Sequence, residues 1–160
     1  MSNAPYLITV TTTRADHGVV VNVSSVHGFW AHSGPTVPHT AYSAAKFAVK
    51  GFTEALITDF RVHAPHLRAL VVMPGHVGTA IIQNSASILD QQPTPTAHEV
   101  RDTTLSDAFI ASAPTTASDA ALQILEAVDD GRWRVLIGQD AIALDCVTRW
   151  WPDLVSLSWS

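Results

Sequence analysis

Between Thr40 and Val62 the apolar residues Ala41, Ala45, Ala48, Val49, Phe52, Leu56 and Phe60 recur at helical spacing, and this long stretch constrains the fold more than any other feature. Thr40 suits the N-cap position. Glycines and prolines at Gly28, Gly34, Pro35 and Pro38 mark a loop before the helix, and His63-Ala64-Pro65-His66 breaks it afterwards. Apolar runs stand on both sides: Val19-Val20-Val21-Asn22-Val23-Ser24 reads as a strand, and Leu67 to Met73 as a buried strand that Pro74-Gly75 ends sharply. The turn Ala15-Asp16-His17-Gly18 feeds the first run, and Pro5 to Thr13 reads as the stub of either a helix or a strand beside it.

Tyr42 and Lys46 lie four residues apart on that helix, so a phenol and an ammonium share one face. A neighbouring cation favours phenolate and draws a tyrosine toward the pH at which proton transfer to or from a substrate oxygen is efficient. Ser25 ends the first strand run, and a hydroxyl at the carboxyl end of a strand stands where open α/β sheets bind ligands. Tyr-x-x-x-Lys alone is a weak pattern, satisfied by any solvated helix face. Its context carries the weight.

Three segments follow in order: Val20-Val21-Asn22-Val23-Ser24-Ser25-Val26-His27-Gly28, then Ala41-Tyr42-Ser43-Ala44-Ala45-Lys46 with its helix, then Val71-Val72-Met73-Pro74-Gly75-His76-Val77-Gly78-Thr79. Together they closely resemble the short-chain dehydrogenase/reductase family in its fifth strand, catalytic helix, and sixth strand with the following loop. The resemblance is most specific over residues 19–79, and Gly131 to Gly138 is similar to the last strand of the same fold. It implies an α/β fold, a partial doubly wound parallel sheet of Rossmann type made of strands 5, 6 and 7 with intervening helices.

By that resemblance the catalytic residues are Ser25, Tyr42 and Lys46. Tyr42 exchanges the proton and also counts among the cofactor-binding residues, Lys46 lowers its pKa and binds the nicotinamide ribose, and Ser25 hydrogen-bonds the substrate oxygen; Ser24 is the less favoured serine. Pro74 and Gly75 would lie against the nicotinamide ring, with Val77 and Thr79 holding the carboxamide and a nearby phosphate. The implied reaction is hydride transfer between NAD or NADP and a carbonyl or alcohol. The resemblance also implies a homo-oligomer built on helix 40–62. For Phe47, Phe52 and Phe60 singly, filling the chain's own core is the simpler expectation.

The eight glycines fall at 18, 28, 34, 51, 75, 78, 131 and 138, so no Gly-x-Gly occurs, and the fingerprint that seats a pyrophosphate on a helix N-terminus is missing from these 160 residues. The expectation is a carboxyl-terminal half of such an enzyme, in which residues 1–18 are a remnant of what precedes the catalytic strand. The family's catalytic Asn has no assignable counterpart, and the loop from Ser25 to Tyr42 carries a short insertion. Two readings therefore stand. One is an oxidoreductase completed by a second chain or a longer product, and the other a non-catalytic remnant serving as an oligomerisation or binding module. Either predicts a partner for the strand edge at Val19 to Ser24.

Residues 83–116, rich in Ser, Thr and Pro, read as a variable substrate-side segment with a short helix around Glu99 to Ile110. From Ser118 to Asp130, Ala121, Leu122, Leu125 and Val128 mark a helical face stopped by Gly131, and Arg132 to Gly138 reads as a strand. The tail holds Trp150, Trp151 and Trp159, which cover either a subunit interface or the chain's own core. At 47% hydrophobic and 14% charged residues, one domain with surfaces to be covered is expected. A net charge of −5 without a basic stripe disfavours nucleic acid, and no apolar run approaches the ~20 residues of a membrane span. A lone Cys146 and the absence of a signal-like start favour the cytoplasm. Eight histidines invite a metal, but none forms His-Glu-x-x-His and no cysteine pair supports zinc, so no metal is expected and they read as loop and surface residues, with His76 the exception inside the Pro-Gly turn.

Overall fold

The computed structural model describes residues 17–31, 40–81, 84 and 103–151. The expectations for residues 1–16, the Gly34-Pro35-Pro38 loop, most of segment 83–102 and Trp159 lie outside them. The elements in chain order are β1 (Gly18–Val23), a single 3-10 turn (Val26–Gly28), α1 (Thr40–His63), β2 (Leu67–Pro74), β3 (Val77–Gly78), α2 (Thr103–Ser112), β4 (Thr115–Thr116), α3 (Ala117–Asp129), β5 (Arg134–Ile137) and α4 (Gln139–Trp150). Strands β1, β2 and β5 form a parallel sheet in the order β1-β2-β5, with Val21 opposite Leu70 and Val72 opposite Val135. β3 and β4 add a separate two-stranded parallel ladder that the sequence did not announce.

Both faces of the central strand are covered, which is why Leu67 to Met73 is an apolar run without alternation. Residues Leu70 to Met73 are fully buried. Leu70 and Val72 point to the side of α3, where they form the core with Ala120, Ala127, Val135 and Ile137. On the other side α1 crosses over between β1 and β2 and packs on β2.

Both crossover helices seat a face that only partly overlaps the one their hydropathy suggests: Val49, Leu56 and Phe60 of α1 and Val128 of α3 are half-buried as expected, but the rest of each face is rotated away. In α1 the buried residues are Ser43 and Thr53, whereas Ala41, Ala45, Ala48 and Phe52 are exposed. Phe47 is 44% exposed and Phe52 48%, so neither fills the chain's own core; Phe60 is half-buried. In α3 the sheet side carries Ala120, Ile124, Ala127 and Val128, while Leu122 and Leu125 stand out at 59% and 60% exposure. Small residues on the inner face let a helix approach a sheet closely. Phe52, Leu122 and Leu125 are displaced outward.

A polar contact fastens α1 to the sheet. Asn22 alternates with Val21 and Val23, so it faces α1, and its Nδ2 donates to Thr53 Oγ1 at 3.0 Å; Thr53 Oγ1 in turn donates to Val49 O at 2.7 Å. The last helix is tied to β5 by Arg134, whose guanidinium pairs with Asp145 at 2.5 Å, and Arg149 reaches the same carboxylate at 2.9 Å. Burial alone would raise the Asp145 pKa, but the hydrogen bonds and charges of the two arginines outweigh it and hold the carboxyl below its ordinary value.

Replacing Thr53 by Val keeps the shape and leaves the buried Asn22 amide without its acceptor, so stability falls by about 1–3 kcal/mol. Urea denaturation checks this. An unchanged midpoint would show that the Asn22–Thr53 bond contributes nothing net.

Candidate active site

The carboxyl ends of the three parallel strands lie along one edge of the sheet, where open α/β sheets bind ligands. Ser24 and Ser25 follow β1, Pro74-Gly75 closes β2 and Gly138 closes β5. Two backbone bonds hold these ends level: Ser24 N–H donates to Val72 O at 2.8 Å and Gly75 N–H to Ile137 O at 3.0 Å.

The two serines are separated in role by their bonds. Ser24 is 2% exposed, and its Oγ donates to Lys46 O at 2.7 Å, so it is spent on holding β1 to α1. Ser25 caps the 3-10 turn, its Oγ accepting the His27 N–H at 3.2 Å. A hydroxyl that accepts retains its own hydrogen to donate, which a substrate oxygen requires. This turn presses on α1 closely enough that a Cβ on Gly28 would come 2.9 Å from Lys46 O, so only glycine fits there.

Tyr42 lies in the first turn of α1 and is 38% exposed. One helical turn on, Lys46 Nζ sits 5.5 Å from the centre of its ring and donates to Val23 O at 3.1 Å, at the end of β1. Burial disfavours the ammonium and lowers the Lys46 pKa below 10.5. Tyr42 and Lys46 are thus brought together, with Ser25 at the adjoining strand end.

His27 is a member of this group that the sequence had left among the surface histidines. Its ring is half-buried, lies 5.5 Å from the Tyr42 ring in an edge-on arrangement, and has Nδ1 3.4 Å from Ser43 Oγ. The signal available was its place two residues after Ser25 in a turn aimed at the Tyr-bearing helix.

Pro74, Gly75, Val77 and Thr79 run along the end of β2 and are all half-buried. Val77 pairs with Thr115 in the small β3–β4 ladder and also packs against the core. His76, between them, is held on both sides: its backbone N–H donates to Asp140 Oδ2, and its ring nitrogen Nε2 lies 2.8 Å from Phe109 O with the ring against that of Phe109. Asp140 belongs to α4, a segment read from sequence only as a tail.

The sequence profile of the short chain dehydrogenase family matches residues 3–89. A Mycobacterium tuberculosis protein named as an oxidoreductase, SadH, is 36% identical over 132 residues, covering 82% of this chain and 44% of that protein. The 3-ketodihydrosphingosine reductase of Bacteroides thetaiotaomicron is 36% identical over 72 residues, 44% of this chain and 24% of that enzyme. The chain therefore spans less than half the length of these relatives. In fold it is similar to a Burkholderia phymatum short chain dehydrogenase/reductase solved with NAD, at 24% identity and a TM-score of 0.67 over 90% of this chain and 50% of that one. A Burkholderia cenocepacia short chain dehydrogenase solved with NADP gives 18% identity and a TM-score of 0.58, covering 89% of this chain and 47% of that one. With its Rossmann-like parallel sheet and a family profile matched over more than half its length, this chain belongs to the short chain dehydrogenase family.

Proposed function

We propose that this chain carries the catalytic and nicotinamide-side part of an NAD(P)-dependent oxidoreductase acting on a carbonyl or alcohol. The observation that supports it most is the seating of Lys46 beside Tyr42, with Nζ 5.5 Å from the ring centre and bonded to the strand end that leads into Ser25. Tyr42 holds the proton that goes to, or comes from, the substrate oxygen. Ser25 donates a hydrogen bond to the same oxygen and orients it. Lys46 sets the charge beside the phenol.

The residues present fit a nicotinamide nucleotide. An ammonium has three N–H donors and Val23 O takes one, which leaves donors for ribose hydroxyls beside the exposed phenol. In this reading the Pro74-Gly75 turn at the end of β2 lies against the flat ring, with the side-chain direction of Gly75 taken up by the Asp140 carboxylate, and Val77 and Thr79 follow it for the carboxamide and phosphate. When bound, the nicotinamide supplies or accepts the hydride, and the protein contributes orientation and electrostatics. The outward face of α1, with Phe47 and Phe52 half exposed, supports self-association through residues 40–62. No described helix is long and apolar enough to cross a membrane. A cytoplasmic location is part of the proposal.

Tyr42→Phe keeps the ring and removes the proton, so carbonyl reduction falls at least ~100-fold while cofactor affinity changes little. Lys46→Ala weakens NADH or NADPH in a fluorescence titration. Full turnover in Tyr42→Phe would refute the assigned acid/base. No binding to wild type at millimolar cofactor would favour the second reading, a family remnant that binds a partner through α1 and the β1 edge.

The lowered pKa of Lys46 gives an independent check. A lysine whose folded pKa lies below its unfolded value of 10.5 releases a proton on folding within that window, so stability rises with pH there. Urea midpoints should show wild type gaining on Lys46→Met as pH climbs toward 10.5. A constant difference across that range would mean that folding leaves the Lys46 pKa at its unfolded value, the bond to Val23 O offsetting the burial.

A further inference from the structure

Asp140 stands in the first turn of α4, whose N-cap Gly138 makes no side-chain capping bond. A carboxylate is favoured there by the helix dipole, yet its bond goes elsewhere. Oδ2 accepts the backbone N–H of His76 at 2.5 Å, across 64 residues of sequence. Oδ1 is buried and makes no hydrogen bond. Leaving a carboxylate oxygen in that condition costs free energy, which points to a positional constraint on the group.

The space around it identifies the constraint. A Cβ on Gly75 would overlap the Asp140 carboxylate, and a Cβ on Gly138 would come within 2.5 Å of Oδ1. The carboxylate is therefore packed between the carboxyl ends of β2 and β5, which the Gly75–Ile137 backbone bond already joins. From the opposite side, the His76 ring is held by Phe109 of α2.

We propose that Asp140 is the positioning residue for the nicotinamide-facing turn. It fixes the orientation of the Gly75–His76 peptide, and the room it occupies is room that a side chain at position 75 would need. This rests on the assignment of Pro74-Gly75 to the nicotinamide ring made above. Because Gly75→Ala would push the carboxylate away from His76, Asp140→Ala and Gly75→Ala act on one bond, and their combined effect is no larger than the greater single effect.

The test uses the 160-residue chain, isotopically labelled, with amide hydrogen exchange read at His76 and affinity read by titration with reduced nicotinamide mononucleotide. In Asp140→Ala, His76 exchange accelerates and the dissociation constant rises, each by about tenfold, as for a lost hydrogen bond to a charged acceptor. Exchange of Leu70 to Val72 stays at the wild-type rate. Asp140→Asn, which keeps a carbonyl acceptor, restores most of both, and Gly75→Ala reproduces the loss. Unchanged His76 exchange in Asp140→Ala overturns the proposal, as does faster exchange with unaltered affinity. If Asp140→Ala exposes the β2 amides as well, the comparison of Asp140→Asn with Gly75→Ala decides, and equal wild-type affinity in both overturns it. Failure of wild type itself to bind the mononucleotide removes the nicotinamide assignment and this inference with it, and that outcome is read before any variant is made.

Discussion

The candidate site depends on a reciprocal pair of hydrogen bonds between the end of β1 and one residue of α1. Ser24 Oγ donates to the backbone oxygen of Lys46, and Lys46 Nζ donates back to the backbone oxygen of Val23. How closely a helix approaches its neighbour is set by the bulk of the side chains at the contact. Here Gly28, Ser43 and Thr53 lower the height of the contact, and the buried Asn22–Thr53 bond extends it two turns along the helix. A lysine drawn into such a contact is partly desolvated, which is why its pKa falls. The same bonds that register the helix also place its ammonium one turn from the phenol of Tyr42.

Much of this was legible in the residues. Two apolar runs, the helical period between Thr40 and Val62, and the Ser25, Tyr42-Lys46 and Pro74-Gly75 groups gave β1, α1 and β2 to within a residue or two, because strand ends and helix breaks are written in Pro, Gly and Ser. The short helix expected around Glu99 to Ile110 overlaps α2, which runs from Thr103 to Ser112, and the helix before Gly131 and the strand after it correspond to α3 and β5. Which way the helices face was legible only in part, through Val49, Leu56, Phe60 and Val128. Hydropathy weighs Leu122, Leu125 and Phe52 above Ala120, Ala127 and Thr53, yet the inner face of a helix on a parallel sheet is chosen by close approach as much as by apolar area.

The other illegible part is the long-range polar wiring. His27 reaches Ser43 across sixteen positions and stands edge-on to Tyr42, and Asp140 reaches His76 across 64; neither has a local pattern, since each is a contact that the fold creates. Even β3 and β4, two residues each, exist only because the chain after Gly75 passes beside the entry to α3. Two-residue ladders have no period to read.

The last helix shows how such contacts combine. Asp140 and Asp145 are five residues apart, which at 3.6 residues per turn sets their side chains on different sides of α4. One faces the turn at the end of β2, and the other faces Arg134 on β5, whose guanidinium lies 5.8 Å from the centre of the Phe29 ring, just beyond the turn that Ser25 caps. A single rigid element thus supports both loops of the site, one through a carboxylate and one through an ion pair and an aromatic ring. In the proposed reaction two groups act on one substrate oxygen and one ring, and their separation must be held to fractions of an ångström, which loops attached to separate elements would not do. Fastening both to α4 makes their spacing a property of one helix.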